Sequence, residues 1–200
     1  MKINKILDPF SYILIDNFLD EESYKEVFTE IISLIPNLRS PAETGSSRDN
    51  NRYRKRGLGI FIDDIFQDNR NNSSILTNYE KKLSSVDIVK EMLNHDWFFK
   101  NYYFSTNRDT TLLQSYGDGD FYNAHTDASN VTLIGLYHKK PKAYSGGELI
   151  FPTYDIKFDL MDNQVLLFPS QIPHQVLEIT KNDDDEETNR FTITKFFNII

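Results

Sequence analysis

Apolar and polar positions change their spacing once along this chain, near residue 110. Before that point the clearest apolar pattern has helical spacing, and its members are Tyr24, Val27, Phe28, Ile31, Ile32 and Ile35. Asp20 is a suitable N-cap for this helix, and Pro36 ends it. A second helical pattern covers residues 75–95, with a break at Ser84 and Ser85. The first half is therefore predicted to supply helices.

Short apolar runs predict strands in both halves, and they dominate the second. In the first half the candidates are residues 11–17, 57–62 and the aromatic run 97–104. After residue 110 eight runs rich in β-branched and aromatic residues follow one another, at 111–116, 121–126, 131–138, 148–151, 155–159, 164–168, 174–179 and 190–197. Gly, Pro, Asn and Asp separate them, which is typical of a sandwich or jelly roll.

These patterns together predict a mainly β (α+β) fold. We expect a jelly roll, with the N-terminal helices packed on the outside of one sheet. Length fits a single domain over residues 1–200, in which residues 1–110 support a jelly-roll core at 111–198.

Composition narrows the class of protein. Hydrophobic residues make up 39% of the chain, with 15 Phe and 11 Tyr, which predicts a globular interior. The net charge of −8 argues against nucleic acid and anionic membranes as partners, because both attract basic proteins. No apolar run approaches the ~20 residues of a membrane span, and Asp8 and Pro9 interrupt any signal-peptide pattern. The expectation is a soluble cytoplasmic protein. With no Cys, thiolate chemistry is excluded.

The pair His125-x-Asp127 is the first candidate for chemistry. If both residues lie on one strand, the period of two places them on the same face, where an imidazole nitrogen and a carboxylate oxygen converge. Adding His174, which opens a later strand, gives two His and one carboxylate, the facial arrangement that leaves open positions on Fe(II). The alternative is a solvated polar turn, since a chain with 4 His and 30 acidic residues supplies a lone His-x-Asp by chance.

Arg190 is the candidate for anion binding. Strand alternation places Arg190, Thr192, Thr194 and Phe196 on one face of the last run. An Arg pointing into a barrel is costly unless an anion meets it, and its planar fork suits a carboxylate. The alternative is a surface salt bridge to the acidic run at residues 183–187.

A basic segment stands out against the acidic chain. Residues 37–56 collect Pro, Gly, Ser and Asn and then five basic residues between Arg48 and Arg56. One interpretation is an exposed, solvated loop. The other is a mobile cover that brings positive charge to an acidic substrate.

Several of these features occur in one order over about residues 110–198, namely Tyr116, His125-x-Asp127, Gly146-Gly147-Glu148-Leu149, Pro173-His174 and Arg190-x-Thr192. This order resembles the Fe(II)- and 2-oxoglutarate-dependent dioxygenases, in particular the prolyl 4-hydroxylase-like branch, which has a double-stranded β-helix (jelly-roll) fold.

The resemblance implies a role for each matching residue. His125, Asp127 and His174 match the catalytic metal ligands, and Arg190 matches the basic residue that pairs with the far carboxylate of 2-oxoglutarate. Thr192, Tyr116 and Leu149 match further cosubstrate-pocket positions: a polar residue, a hydrogen-bonding Tyr and an apolar wall. The implied cofactors are Fe(II), 2-oxoglutarate and O2, with ascorbate as an accessory. The implied products are succinate, CO2 and a hydroxylated substrate.

The resemblance also has departures. Many collagen-type prolyl 4-hydroxylases use Lys where Arg190 stands, and residues 181–187 enlarge the turn before it. Asp127 argues against a halogenase, which lacks this carboxylate. Phe196 stands where base-repair demethylases tend to have a second Arg, which again disfavours nucleic acid.

Two classes of function remain open. The first is an oxygenase that hydroxylates a prolyl residue of a peptide, with a free amino acid or other small molecule as the alternative substrate. The second is a jelly-roll module that holds metal without turnover. Substrate identity and oligomeric state are not encoded in these motifs.

Overall fold

Two antiparallel β-sheets face each other in the computed structural model, which describes residues 1–45, 48–49 and 52–200. Their strands are β1 (Lys2–Ile6), β2 (Tyr12–Asp16), β5 (Lys55–Arg56), β6 (Leu58–Phe61), β7 (Arg108–Tyr116), β8 (Phe121–His125), β9 (Val131–Tyr137), β11 (Leu149–Phe151), β12 (Ile156–Phe158), β13 (Gln164–Pro169), β14 (His174–Val176) and β16 (Arg190–Asn198). The larger sheet has seven strands in the order β1-β2-β13-β9-β16-β7-β6, and the smaller has five in the order β12-β11-β14-β8-β5. The predicted jelly roll is confirmed, with sheets that stay open at their edges.

Two short ribbons complete the strands. They pair β3 (Arg48–Asp49) with β4 (Arg52–Tyr53), and β10 (Tyr144–Gly146) with β15 (Ile179–Lys181). The predicted run at residues 174–179 is therefore two strands in different sheets, β14 and β15. Ser46, Ser47, Asn50 and Asn51 of the predicted basic loop lie outside the described residues.

The helices cover the outer face of the larger sheet, as the sequence predicts. They are α1 (Glu21–Leu34), α2 (Ile62–Ile65), α3 (Ser74–Leu83) and α4 (Val86–Leu93), and α3 and α4 are separated at the predicted Ser84 and Ser85. Asp20 caps α1 by accepting from the Ser23 backbone N–H at 2.9 Å. Val27, Leu76 and Tyr79 belong to the same buried cluster as Leu133 and Ile193 of the sheet. Burial of the apolar helix faces against the sheet holds the helices in place on its outer side.

A second apolar cluster lies between the two sheets. Ile134, Leu136 and Phe168 from the larger sheet meet Leu149 and Val176 from the smaller one. On β16 alternate residues face opposite ways, because Phe191 and Ile193 join the outer cluster while Arg190 and Thr192 line an inner cavity. The strand alternation predicted for residues 190–196 is confirmed.

The predicted strand at residues 97–104 is wrong, because this segment is helical and includes a π-helix at Phe99–Tyr103. Asp96 starts it by accepting from the Phe99 backbone N–H at 3.2 Å. Phe99 is buried, and the Tyr103 ring packs on Phe197 at a centroid distance of 5.2 Å. Packing of these rings at helical spacing outweighs the β preference of aromatic residues.

None of the helices in residues 1–45, 48–49 and 52–200 has the length and apolar character needed to cross a membrane.

Candidate metal centre and active site

The two candidate histidines are direct neighbours across the smaller sheet. His125 ends β8, His174 opens β14, and the two residues are Cα partners in the ladder. Directly opposed residues project to the same face, and the two rings lie 4.3 Å apart between centroids. Because β8 and β14 pair, His125 and His174 are in contact although about fifty residues separate them in sequence.

Asp127 completes the cluster from a turn rather than from a strand. Strand β8 ends at His125, so the premise that both residues share a strand does not hold. The Asp127 backbone N–H instead donates to Ser170 O at 3.0 Å, which fixes the turn. Its Oδ1 lies 3.6 Å from His125 Nε2, and its Oδ2 lies 3.5 Å from His174 Nε2. One ligand atom from each residue falls within 4.8 Å of the others, so the three could hold one metal ion.

Backbone carbonyls fix which imidazole nitrogen is free. His125 Nδ1 lies 2.9 Å from Asn123 O, and His174 Nδ1 lies 3.0 Å from Ile172 O. A carbonyl oxygen only accepts, so each Nδ1 carries the proton and donates. Each Nε2 then presents a lone pair toward Asp127, the arrangement of a metal-ligating imidazole with its second nitrogen held.

Burial sets the charge of the cluster. It lowers the pKa of His125 to about 3, assisted by His174, so this imidazole is neutral at ordinary pH. Burial also raises the pKa of Asp127, although His174 and the Thr132 hydroxyl oppose the rise. A buried carboxylate is costly without a nearby positive charge, and a divalent cation bound to these three residues supplies that charge.

Hydroxyl groups hold the Asp127 carboxylate from behind. Thr132 Oγ1 donates to Asp127 Oδ2 at 2.6 Å and lies 2.8 Å from Ser170 Oγ. Ser129 Oγ is 2.7 Å from the same Ser170 hydroxyl. These Ser and Thr positions have no signal in the sequence that would have predicted this group.

A cavity of about 60 Å³ lies beside the cluster, between the sheets. All seven residues predicted for the site line it: Tyr116, His125, Asp127, Leu149, His174, Arg190 and Thr192. Leu149 is 1% exposed and forms part of the apolar wall. The structure thus brings together these side chains from five different strands and one turn.

Arg190 is buried without a full set of partners. Its side chain is enclosed, and its Nη1 has no hydrogen-bond acceptor among the described residues. Its guanidinium carbon lies 5.5 Å from the Tyr116 ring centroid. Burial lowers the pKa of Arg190, yet a guanidinium stays charged in proteins. A buried cation with an unsatisfied donor fits an anionic ligand in this cavity. The alternative, a surface salt bridge to residues 183–187, does not hold because Arg190 is buried.

Gly147 makes room for Arg190. A Cβ at Gly147 would lie 2.7 Å from Arg190 Cδ and 2.2 Å from Ile179 Cδ1, and the backbone has φ +76. A side chain at this position would therefore displace the guanidinium and strain the backbone.

Gln114, which the sequence analysis missed, organises the hydroxyl groups of the cavity. Its Oε1 accepts from Thr192 and Thr194, each at 3.2 Å, and its Nε2 donates to the Tyr116 hydroxyl at 3.0 Å. Tyr116 therefore keeps its own proton for a further acceptor. Burial raises its pKa, so the phenol is neutral. Alternation on β7 from Tyr116 is the sequence signal that could have found Gln114.

Tyr144 is a second residue that the sequence analysis missed. Its hydroxyl is buried and has no partner within the described part of the chain. It belongs to one buried cluster with Tyr116 and Ile179. Burial raises the pKa of Tyr144 to about 12, with Arg190 acting in the opposite direction. The phenol is thus a neutral donor near the guanidinium, and its place just before Gly146 and Gly147 was the available signal.

Comparison with known proteins agrees with this geometry. The model of the 2OG-Fe(II) oxygenase superfamily matches residues 111–198, the segment that supplies the ligand cluster and Arg190. The match covers 88 of the 200 residues, so the C-terminal segment is what resembles this superfamily. The superfamily is one of oxygenases, and its name implies Fe(II) and 2-oxoglutarate as cofactor and cosubstrate.

Two solved structures have the same fold as this chain. A Pseudomonas putida prolyl-4-hydroxylase aligns with a TM-score of 0.61 at 16% identity, over 94% of this chain and 92% of that one. The viral collagen prolyl hydroxylase of Paramecium bursaria Chlorella virus-1, solved with 2-oxoglutarate, aligns with a TM-score of 0.60 at 15% identity, over 98% and 99%. The double-stranded β-helix of the prolyl 4-hydroxylase-like type is thereby confirmed.

A curated relative is also similar in sequence. An uncharacterized PKHD-type hydroxylase of Synechocystis is 25% identical over 100 residues, which is 40% of this chain and 33% of the relative. The match spans about a third of that relative's length.

Proposed function

We propose that this oxygenase uses Fe(II), 2-oxoglutarate and O2 to hydroxylate an unactivated C–H bond. The observation that carries the proposal is the unsatisfied Arg190 guanidinium, which lines the same cavity as the cluster of His125, Asp127 and His174. A module that only holds metal has no need of a buried cation beside it. The match of residues 111–198 to the 2OG-Fe(II) oxygenase superfamily model supports the same proposal.

The protein's part in the reaction follows from the hydrogen bonds. His125 and His174 would bind Fe(II) through Nε2, each held by a carbonyl at Nδ1, and Asp127 would bind through its carboxylate. When bound, Fe(II) with 2-oxoglutarate and O2 supplies the oxidising chemistry, which releases succinate and CO2. Thr132 would keep the Asp127 carboxylate oriented, and the closed wall that includes Leu149 would exclude water.

Arg190 would bind the far carboxylate of 2-oxoglutarate through charge-assisted hydrogen bonds. Tyr116 would donate its free proton to the same cosubstrate, because Gln114 already occupies its oxygen. Thr192 would act through Gln114, to which its hydroxyl donates. Tyr144 adds a buried phenol near the guanidinium.

The substrate we propose first is a prolyl residue of a peptide, which the fold of two prolyl hydroxylases favours. A free amino acid or another small molecule is the alternative. That nucleic acid is not the substrate stays a prediction from the −8 net charge. We also propose that residues 1–200 form one domain, since β1, β2 and β6 belong to the same sheet as β16.

The test is succinate formation from 2-oxoglutarate by the purified protein with Fe(II) and ascorbate, with and without proline-rich peptides and free L-proline. Succinate that rises with a peptide supports a prolyl hydroxylase, and slow succinate formation without stimulation supports the oxygenase with another substrate. Asp127→Ala is the control for adventitious iron chemistry. No succinate from folded, iron-loaded protein would favour the binding module.

A further inference from the structure

One residue of the basic segment points into the barrel. Lys55 lies on β5, opposite Tyr122 of β8, and its side chain is 4% exposed. Arg48, Arg52 and Arg56 of the same segment are exposed. The two interpretations of this segment therefore apply to different residues: most of its charge faces solvent, and Lys55 alone is buried among its described basic residues.

Gly59 provides the space for the Lys55 ammonium. A Cβ at Gly59 would lie 3.2 Å from Lys55 Nζ and 3.1 Å from Leu113 O. Those separations are tight for a Cβ, so any larger residue at position 59 would press on the ammonium. The Lys55 ammonium thus lies beside Gly59, where β6 has no side chain.

The ammonium has no partner that satisfies it in the described parts of the chain. No hydrogen bond or ion pair reaches Lys55 Nζ there, and the Tyr116 ring centroid is 5.8 Å away. Asp120 attracts it electrostatically, but the two Asp120 oxygens are engaged by Arg56 Nε at 3.4 Å and by the Gly117 N–H at 2.9 Å. Burial lowers the pKa of Lys55 to about 8, against the pull of Asp120, so the group is largely a cation at neutral pH.

Lys55 lines a different cavity from Arg190. A cleft of about 350 Å³ has Lys55, Phe61, Tyr122, Thr126 and Asp127 on its walls, and it adjoins the smaller cavity through Tyr122 and Asp127. Arg190 is absent from this cleft, and Lys55 is absent from the smaller cavity. The barrel therefore carries two buried cations on two neighbouring spaces. The far carboxylate of the cosubstrate accounts for only one of them.

We infer that Lys55 binds a carboxylate of the substrate in this cleft, next to the metal ligands. The inference rests on the proposed function and narrows its substrate to a carboxylate-bearing compound. One ammonium matches the single charge of a carboxylate, whereas a phosphate carries close to two charges. The cleft volume lies in the range of small-ligand sites. The carboxylate can be the α-carboxylate of a free amino acid or the acidic side chain of a peptide.

The experiment compares matched acids and amides by calorimetric binding to protein loaded with Zn(II) and 2-oxoglutarate, which does not turn over. One pair is L-proline and L-prolinamide, which tests a free amino acid. The other is acetyl-Glu-Pro-Gly-amide and acetyl-Gln-Pro-Gly-amide, which tests an acidic peptide. We expect one acid to bind about ten- to a hundredfold more tightly than its amide, as a charge-assisted hydrogen bond provides.

Variants assign that preference to the residue. Lys55→Met should lower the affinity for the acid to that for the amide, and Arg52→Met, from the exposed part of the segment, should keep the preference. Lys55→Gln, which keeps a donor and removes the charge, is measured alongside so that a folding defect in Lys55→Met does not decide the result.

Three results would overturn the inference: no acid binds more tightly than its amide, the preference survives in Lys55→Gln, or Lys55→Gln weakens 2-oxoglutarate instead of the acid. None of these affects succinate release by the wild-type protein without a second substrate, which tests the proposed function separately.

Discussion

Replacement of Arg190 by Met should separate the stability of the free protein from its stabilisation by 2-oxoglutarate. In the free protein Arg190 is a buried charge with an unsatisfied Nη1. An unbranched apolar side chain removes that charge and keeps most of the packing. We therefore expect the ligand-free Arg190→Met protein to melt at the same temperature as the wild type or higher, as happens when buried charges are replaced by apolar groups.

The increase in Tm that 2-oxoglutarate causes should, by contrast, be smaller in Arg190→Met than in the wild type. A ligand at one hundred times its Kd stabilises a protein by about 2.7 kcal/mol. For a chain of this size that corresponds to a Tm increase of roughly 5–10 °C, at about 2–4 °C per kcal/mol. Loss of one partner of a buried charge pair costs about 3–5 kcal/mol, or about two to three and a half powers of ten in Kd. At the same concentration the variant should then gain no more than about 1.5 °C.

The assay is thermal unfolding followed by circular dichroism, with Zn(II) in place of iron and with and without 2-oxoglutarate. Lys195→Met is the matched control, because Lys195 is a buried cation on the same strand whose ammonium is bonded to Asp109 and to Thr111 Oγ1. That variant should lower the ligand-free Tm and keep the full increase with 2-oxoglutarate. An undiminished increase in Arg190→Met would refute the role of Arg190 as the anion anchor.

Three further substitutions test other parts of the site. Asp127→Ala should abolish Zn(II) binding in calorimetry while the far-ultraviolet circular dichroism stays native, and full metal affinity would contradict the ligand assignment. Gln114→Leu should lower the free energy of unfolding by about 1–3 kcal/mol through its unsatisfied hydroxyl partners, and should raise the KM for 2-oxoglutarate because Tyr116 loses its orientation; an unchanged KM would count against that network. Gly147→Ala should weaken 2-oxoglutarate binding at least tenfold by displacing Arg190, as measured by calorimetry, and wild-type affinity would mean that the guanidinium tolerates the added Cβ.

The sequence by itself determined the elements and the chemical groups. Strand spacing after residue 110 predicted the jelly roll, and the helices at 21–34 and 74–93 followed from apolar spacing and from Asp20 and Pro36. Seven site residues could be named because their order along the chain resembles that of a family. These signals are local or ordered in sequence, so they can be read without coordinates.

Only the tertiary structure decided which groups meet and which stay unpaired. The helical state of residues 97–105 depends on packing against Phe197, which is distant in sequence. The roles of Gln114, Tyr144 and Lys55 depend on which hydrogen bonds neighbouring strands satisfy, and propensity carries no information on that. A buried cation without a partner costs free energy only in its folded surroundings, so Arg190 and Lys55 become evidence for ligands only when those surroundings are known.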